Sequence, residues 1–294
     1  MINGVLNVWK EAGFTSHDVV AKLRGILHQK KIGHTGTLDP DATGVLPVCL
    51  GKGTRLCDML TDETKTYEAL LHLGIATDTQ DMSGTVTAEA PVTVTEEEVR
   101  DCIASFVGEQ QQVPPMYSAL KVNGKKLYEL AREGIEIERK ARTVHFYEIS
   151  ILEVKLPLVR MEVTCSKGTY IRTLCHDIGG ALGVGGCLSS LRRIRAGGFS
   201  IGEAVTLEEI QAAKEQGRHT ELLRQVDQLF SGFPALYVGK RETVRCKNGA
   251  DSRIPGMPDG TYRVYGPENE FLMLGQCQGG VLRTVKSFFE VKES

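Results

Sequence analysis

The sequence predicts an α+β protein: a mixed, mostly antiparallel sheet flanked by helices, followed by a small β-rich C-terminal domain. Three observations carry this. Lys65–Leu73 and Val159–Cys165 alternate apolar with mostly polar residues, as half-buried strands do. Thr95-x-x-Glu98 and Thr206-x-x-Glu209 are capping boxes, each the opening of a helix. Strands and helices interleave without the βαβ rhythm of a doubly wound parallel sheet, which leaves a mixed sheet as the architecture.

Taken in order, Gly4–Trp9 is a short apolar run read as a strand. Ser16 is expected to cap a helix in which Val19, Val20, Leu23, Ile26 and Leu27 follow helical spacing. Val45–Leu50 is apolar throughout and suits a buried strand, and the alternation of Lys65–Leu73 puts Tyr67 on its inward face. The Thr95 box predicts a helix with Val99, Cys102, Ile103 and Phe106 on one face. After the turn Ser166-Lys167-Gly168, Ile171, Leu174, Cys175 and Ile178 return to helical spacing, and Gly179-Gly180 is expected to weaken that helix's end. Gly217 is a natural stop for the helix opened by Thr206. Composition changes near residue 230. Phe233-Pro234 and a short helix around Lys240–Lys247 precede three strand-like runs near Thr261–Tyr265, Phe271–Gln276 and Val281–Phe289. The expected division is residues 1–230 and 231–294.

The totals narrow the function classes. An apolar fraction of 41% and a charged fraction of 24% in 294 residues are those of an ordinary soluble globular protein. The apolar runs are too short to span a bilayer, and Met1-Ile2-Asn3-Gly4 does not read as a secretory signal, so a cytoplasmic protein without membrane contact is expected. The eight cysteines form no C-x-x-C pair and read as buried thiols in a reducing compartment. Cys175-His176 has no second ligand pair nearby, so no metal is expected. Gly51-Lys52-Gly53-Thr54 fails as a phosphate loop, because Leu46 occupies the position of the first glycine and Gly53 that of the Ser/Thr. The net charge of −2 argues against indiscriminate nucleic-acid binding. Basic residues still cluster locally, at Lys30-Lys31, Lys121/Lys125/Lys126, Arg139-Lys140-Arg142, Arg192-Arg193-Arg195 and Lys240/Arg241/Arg245/Lys247.

Residues 33–46, Gly-His-Thr-Gly-Thr-Leu-Asp-Pro-Asp-Ala-Thr-Gly-Val-Leu, are the most informative segment. Asp39 sits between a glycine-rich turn and Pro40, at the lip of an apolar run, where a loop on a rigid scaffold can carry chemistry. On turn chemistry alone, the alternative is an Asx-type turn in which Asp39 bonds its own backbone.

The stretch Gly33–Thr54 closely resembles the tRNA pseudouridine-55 synthases of the TruB family, and ordered likenesses continue over roughly residues 2–205. They include Ile2-Asn3-Gly4-Val5-Leu6, Lys65-Thr66-Tyr67, Thr77-Asp78-Thr79-x-Asp81, Val113-Pro114-Pro115-Met116-Tyr117-Ser118-Ala119-Leu120-Lys121, Gly124–Tyr128, Cys165–Leu174 and Leu191-Arg192-Arg193. The C-terminal part is more loosely similar to the small PUA-type RNA-binding module. One departure stands out: the family usually shows Asp-Lys-Pro after its first strand, and this chain has Trp9-Lys10-Glu11.

The resemblance implies the pseudouridine synthase fold and a cofactor-free isomerisation: the N1–C1′ bond of uridine breaks, the uracil turns, and C5 joins C1′. It implies Asp39 as the catalytic carboxylate, whether by attack on C1′, attack on C6 or promotion of a glycal. Arg172 is implied as its ion partner, and Tyr67 as a stacking residue whose hydroxyl accepts a proton. His34 is implied to take the place of the flipped base, Tyr170 and Leu191 to wall the pocket, Asp81 to contact the base or nearby nucleotides, and Lys10 to contact phosphate. The implied partner is the T-stem-loop of tRNA, bound by a monomer without guide RNA or an obligate protein partner, with a secondary role in helping tRNA fold.

Overall fold

The structure, a computed structural model, describes residues 1–122 and 124–289, so 290–294 of the expected C-terminal segment lie outside the described residues. The large sheet is built from β1 (Gly4–Lys10), β2 (Ile32–His34), β3 (Thr43–Leu50), β4 (Lys65–Leu73), β5 (Gly108–Gln112), β6 (Arg142–Lys155), β7 (Leu158–Cys165), β8 (Gly186–Ala196) and β9 (Leu223–Arg224). Their order is β9-β1-β3-β8-β4-β7-β6-β5, with β2 also paired to β3. All of these pairings are antiparallel except β3 with β8, which is parallel. The mixed, mostly antiparallel sheet expected from the sequence is therefore present.

β3 explains its own composition. Leu46, Val48 and Leu50 face a cluster completed by Leu6 and Val8 of β1, by Val19, Val20, Leu23 and Leu27 of α1 (Ser16–Leu27), and by Ile210. Val45 and Cys49 face the opposite side and join a different cluster. A strand covered on both faces has no use for polar residues. On β4 the alternation holds: Tyr67, Ala69, Leu71 and Leu73 enter a core shared with Val99 and Ile103 of α2 (Glu96–Ala104) and Leu174, Cys175 and Ile178 of α3 (Ile171–Ala181). The Thr206 box opens α4 (Leu207–Glu215), and Gly217 follows with φ +72°.

A second sheet contains β10 (Ala235–Tyr237), β11 (Ser252–Arg253), β12 (Gly260–Tyr265), β13 (Phe271–Gln278) and β14 (Val281–Ser287), in the order β10-β12-β13-β14-β11, with the helix α5 (Lys240–Lys247) beside it. It is docked on the first sheet. Leu274 and Phe288 pack into the cluster of Val5, Val45, Cys49, Leu56, Phe199 and Phe230. Arg55 donates to the carbonyls of Ser287 (2.8 Å) and Phe289 (3.3 Å), and Tyr265 donates its hydroxyl to Asp227 (2.8 Å).

Two local expectations are corrected. The N-cap of α1 is Thr15, whose hydroxyl accepts from the amide of Asp18 in a reciprocal capping box, while Ser16 is buried and turns to Leu38. Phe106 lies past the end of α2, though it still packs on the same core. Gly179 and Gly180 lie in the last turn of α3, which ends at Ala181. The reason for Gly179 is contact: a Cβ there would lie 2.1 Å from the amide nitrogen of Gly186, where α3 crosses the start of β8. Nothing lies within 4 Å of a Cβ on Gly180.

The two glycines make a matched test. Gly179→Ala is expected to destabilise by about 1–3 kcal/mol or more, as overpacking does. Gly180→Ala is expected to stabilise by roughly 0.5–1 kcal/mol through helix propensity. Urea unfolding of the two variants measures both; equal effects would contradict the helix–strand contact.

Candidate active site

The loop between β2 and β3 carries Asp39 and is held at several backbone groups on both sides of it. The amide of Leu38 donates to Ser16 Oγ (2.9 Å), and Ser16 Oγ donates back to the Leu38 carbonyl (3.3 Å). The Leu38 side chain is buried in the main core. The ammonium of Lys10, at the end of β1, donates to the carbonyls of Pro40 (2.9 Å), Ala42 (2.5 Å) and Glu11 (3.0 Å). From the far side Arg193 of β8 donates to Gly36 O (3.2 Å) and Val45 O (2.7 Å). At Gly44, φ is +106° and a Cβ would lie 2.2 Å from the Arg193 carbonyl, so only glycine lets β3 and β8 meet here. Asp39 itself is not spent on an Asx turn: its carbonyl accepts from the Ala42 amide (3.1 Å), and its carboxylate is left for another partner.

That partner is Arg172, in the first turn of α3. Its Nε lies 3.0 Å from Asp39 Oδ2 and its Nη2 donates to Oδ1 at 3.4 Å, a two-pronged fork. The remaining donors reach Thr79 O (2.9 Å), Tyr117 O (2.7 Å) and Asp81 Oδ2 (3.4 Å). Arg172 is nearly sealed, at 6% side-chain exposure, whereas Asp39 keeps 46% of its side chain open. The cation is thus the fixed base of the pair and the carboxylate its reactive face. Two carboxylates on one guanidinium also offset the unfavourable placing of a cation at a helix N-terminus. Crowding of the cleft raises the Asp39 carboxyl above its ordinary value, and Asp81 pushes in the same direction; Arg172 and Lys10 oppose them.

The other residues assemble around this pair. Tyr67 is buried on β4, directly across from Arg193 in the β4–β8 register, and burial raises its phenol. Leu191, two residues earlier on β8, is half-buried and packs on the same core. Tyr170 precedes α3, its backbone held on both sides by Gln112, which accepts from its amide (2.8 Å) and donates to its carbonyl (3.0 Å). His34 lies at the end of β2, its Nδ1 buried without a partner among the described residues and its ring kept neutral chiefly by burial, with His17 and Arg193 adding to the effect.

One expected role changes. Lys10 is 0% exposed and its ammonium is committed to three carbonyls, so it anchors the Asp39 loop and is not placed to meet phosphate. Asp81 turns inward, with one oxygen toward Arg172 and the other accepting from Thr79 Oγ1 (2.7 Å) and from Ser83. Arg193 reads in sequence as part of a basic cluster, yet it is buried at 1% exposure while its neighbours Arg192 and Arg195 are exposed. No local signal marked it, because two register shifts break the inward–outward alternation along β8, one of them directly after Arg193. Among the described residues no group of three or more His, Cys, Asp or Glu is arranged to hold a metal ion, and no helix is long and apolar enough to cross a membrane.

Comparison with known proteins places this geometry. Residues 24–171 match the TruB family pseudouridylate synthase N-terminal domain, and residues 172–229 match the tRNA pseudouridylate synthase B C-terminal domain. The chain belongs to the TruB family. A tRNA pseudouridine synthase B from Clostridium acetobutylicum is 44% identical over 97% of this chain and 99% of that protein. One from Alkaliphilus oremlandii is 54% identical over 72% of this chain and 71% of its own. Among solved structures, a chain of a Cbf5-Nop10-Gar1 complex superposes with a TM-score of 0.73 at 31% identity, covering 97% of this chain and 85% of that one. A chain of an H/ACA RNP bound to a substrate RNA containing 2′-deoxyuridine gives 0.72 at 29% identity, covering 98% and 85%. Family membership and the α+β pseudouridine synthase fold are therefore established for this chain.

The placement of Lys10 has a measurable consequence. Lys10→Met leaves the Pro40 and Ala42 carbonyls without their donor and is expected to cost about 1–3 kcal/mol of stability. The salt dependence of RNA binding is expected to stay as in the wild type; a reduced salt slope would instead return Lys10 to the phosphate-contacting role.

Proposed function

We propose that the protein converts uridine to pseudouridine in tRNA, at position 55 of the T-loop, with Asp39 as the catalytic carboxylate. The observation that carries this is the Asp39–Arg172 fork, 3.0 Å at its closest, open on the carboxylate side and sealed on the guanidinium side. Arg172 keeps Asp39 ionised and aimed in a crowded cleft that would otherwise favour its protonation. The carboxylate drives cleavage of the N1–C1′ bond, the detached uracil turns within the pocket, and C5 joins C1′. The C5 hydrogen leaves as a proton, N1 gains one, and nothing else is consumed or released.

The target base must first leave its stack, at a cost of roughly a few kcal/mol. His34, neutral and half-buried at the rim with an unpartnered ring nitrogen, is suited to fill the vacated place. The same insertion gives the protein a means of opening and reclosing the T-loop, hence a secondary part in tRNA folding. Tyr67 stacks on the extruded uracil and receives the C5 proton, and Tyr170 and Leu191 close the pocket. Residues 1–230 form the catalytic domain and 231–294 a PUA-like RNA-binding domain, acting together as a monomer in the cytoplasm without guide RNA or an obligate partner protein.

Asp39→Asn is expected to bind unmodified tRNA within a few-fold of the wild type and to release no tritium from uridine labelled at C5. Turnover close to wild type would remove Asp39 from its role. The raised Asp39 carboxyl puts the acid limb of the single-turnover rate above the ordinary aspartate range, because activity needs the carboxylate and falls as pH drops through that value. Asp81→Asn removes a neighbouring like charge and is expected to move this limb toward lower pH. An isolated T-stem-loop hairpin is expected to be a substrate, since folded RNA loops are read by shape, stacking and backbone contacts; complete inactivity on it would require contacts elsewhere on the tRNA.

A further inference from the structure

We propose that Arg193 is the positioning residue of Tyr67: its buried guanidinium ties the Asp39 loop to the phenol and stabilises the phenolate that takes the C5 proton. This role presupposes Tyr67 as the proton acceptor. In the step concerned, the phenolate oxygen binds the C5 proton, the C5–H electron pair restores the C5–C6 double bond, N1 takes a proton from solvent, and the phenol later returns its proton to water.

Register and burial place the two groups together. Arg193 on β8 lies opposite Tyr67 on β4 in one pairing and opposite Gly44 on β3 in the other, so it sits between the phenol and the Asp39 loop. Arg193 is 1% exposed and Tyr67 9%. Two of its nitrogens are taken by Val45 O and Gly36 O, and its charge favours the Tyr67 phenolate against the burial that opposes it. Among the described residues no carboxylate comes within 4.0 Å of it. Anchoring two carbonyls needs only neutral donors, whereas a sealed cation without an anion carries a large desolvation penalty. An anion that forms beside it during the reaction supplies the missing partner.

Against this cation stand the groups that disfavour a phenolate: burial itself, Cys165 on β7, and Asp39. Asp39 is neutralised by Arg172, which leaves Arg193 to serve Tyr67. The site thus gives each acid its own guanidinium.

Arg193→Met, Arg193→Lys and Tyr67→Phe separate charge from scaffolding. Each is assayed for tRNA affinity, for single-turnover tritium release against pH, and, without RNA, for tyrosinate absorbance. With eight tyrosines in the chain, the difference from Tyr67→Phe isolates the phenol in question. Arg193→Met is expected to bind tRNA normally, to lose about 10²-fold or more in rate, and to shift the Tyr67 titration to higher pH while the acid limb set by Asp39 stays in place. Arg193→Lys keeps the charge and is expected to hold the Tyr67 titration in place and stay within about tenfold in rate. The proposal is overturned if Arg193→Met leaves the Tyr67 titration unmoved, or if Arg193→Lys is as impaired as the Met variant. Should the Met variant fail to fold, the Lys variant decides: a retained rate and titration support the charge role, and loss of either overturns it. Full turnover by Tyr67→Phe would remove Tyr67 as acceptor, an outcome distinguishable because the absorbance titration is read without substrate.

Discussion

The guanidinium of Arg172 is the contact on which the site depends. It draws together four segments that are distant in the chain: the Asp39 loop, the turn at Thr79–Asp81, the carbonyl of Tyr117 and the start of α3. Because the guanidinium is planar and presents its donors in a fixed fork, the position of α3 sets the position of the carboxylate. Burial of the arginine and partial exposure of the aspartate divide their labour. One supplies a fixed field, and the other is open to solvent.

The Asp39 loop is held by charge as well as by packing. Lys10 and Arg193, both essentially sealed from water, enter from opposite sides and bind carbonyls on either side of Asp39. Buried ammonium and guanidinium groups are costly unless their donors are used, so each strongly restricts the conformations the loop can adopt. The result is a loop whose carbonyls are tied down on both sides of Asp39, which fixes where the carboxylate sits. The replacement of the family's usual Asp-Lys-Pro by Trp9-Lys10-Glu11 leaves this device intact, since only the lysine ammonium of that triplet takes part in it.

The second sheet is bound to the first by a shared apolar cluster rather than by a tether alone. Leu274 and Phe288 bury themselves against the back of β1 and β3, and Arg55 clasps the end of β14. The back of β3 is therefore covered by the C-terminal sheet while its front is covered by α1 and α4. The strand that follows the catalytic loop is braced on both faces.

Much of this was legible in the sequence. The alternation of Lys65–Leu73 and the capping boxes at Thr95 and Thr206 are local signals, set by the period of a strand and by the first turn of a helix, and both appear as read. The grouping of Asp39, Arg172 and Tyr67 came from a motif resemblance, since no local rule joins residues 39, 67 and 172. What only the tertiary structure decided is which charges face inward. Lys10 looks in sequence like a surface lysine and Arg193 like one member of a basic run, because composition does not record the direction of a side chain. Ser16 looks like a helix cap until Leu38 is seen beside it. Gly179 reads only as a weak helix end until Gly186 is found pressed against it. Periodicity in the chain determined the elements and their apolar faces; the close approach of β1, β3 and β8 assigned the buried cations their partners, because a hydrogen bond between distant residues exists only once the backbone has brought them together.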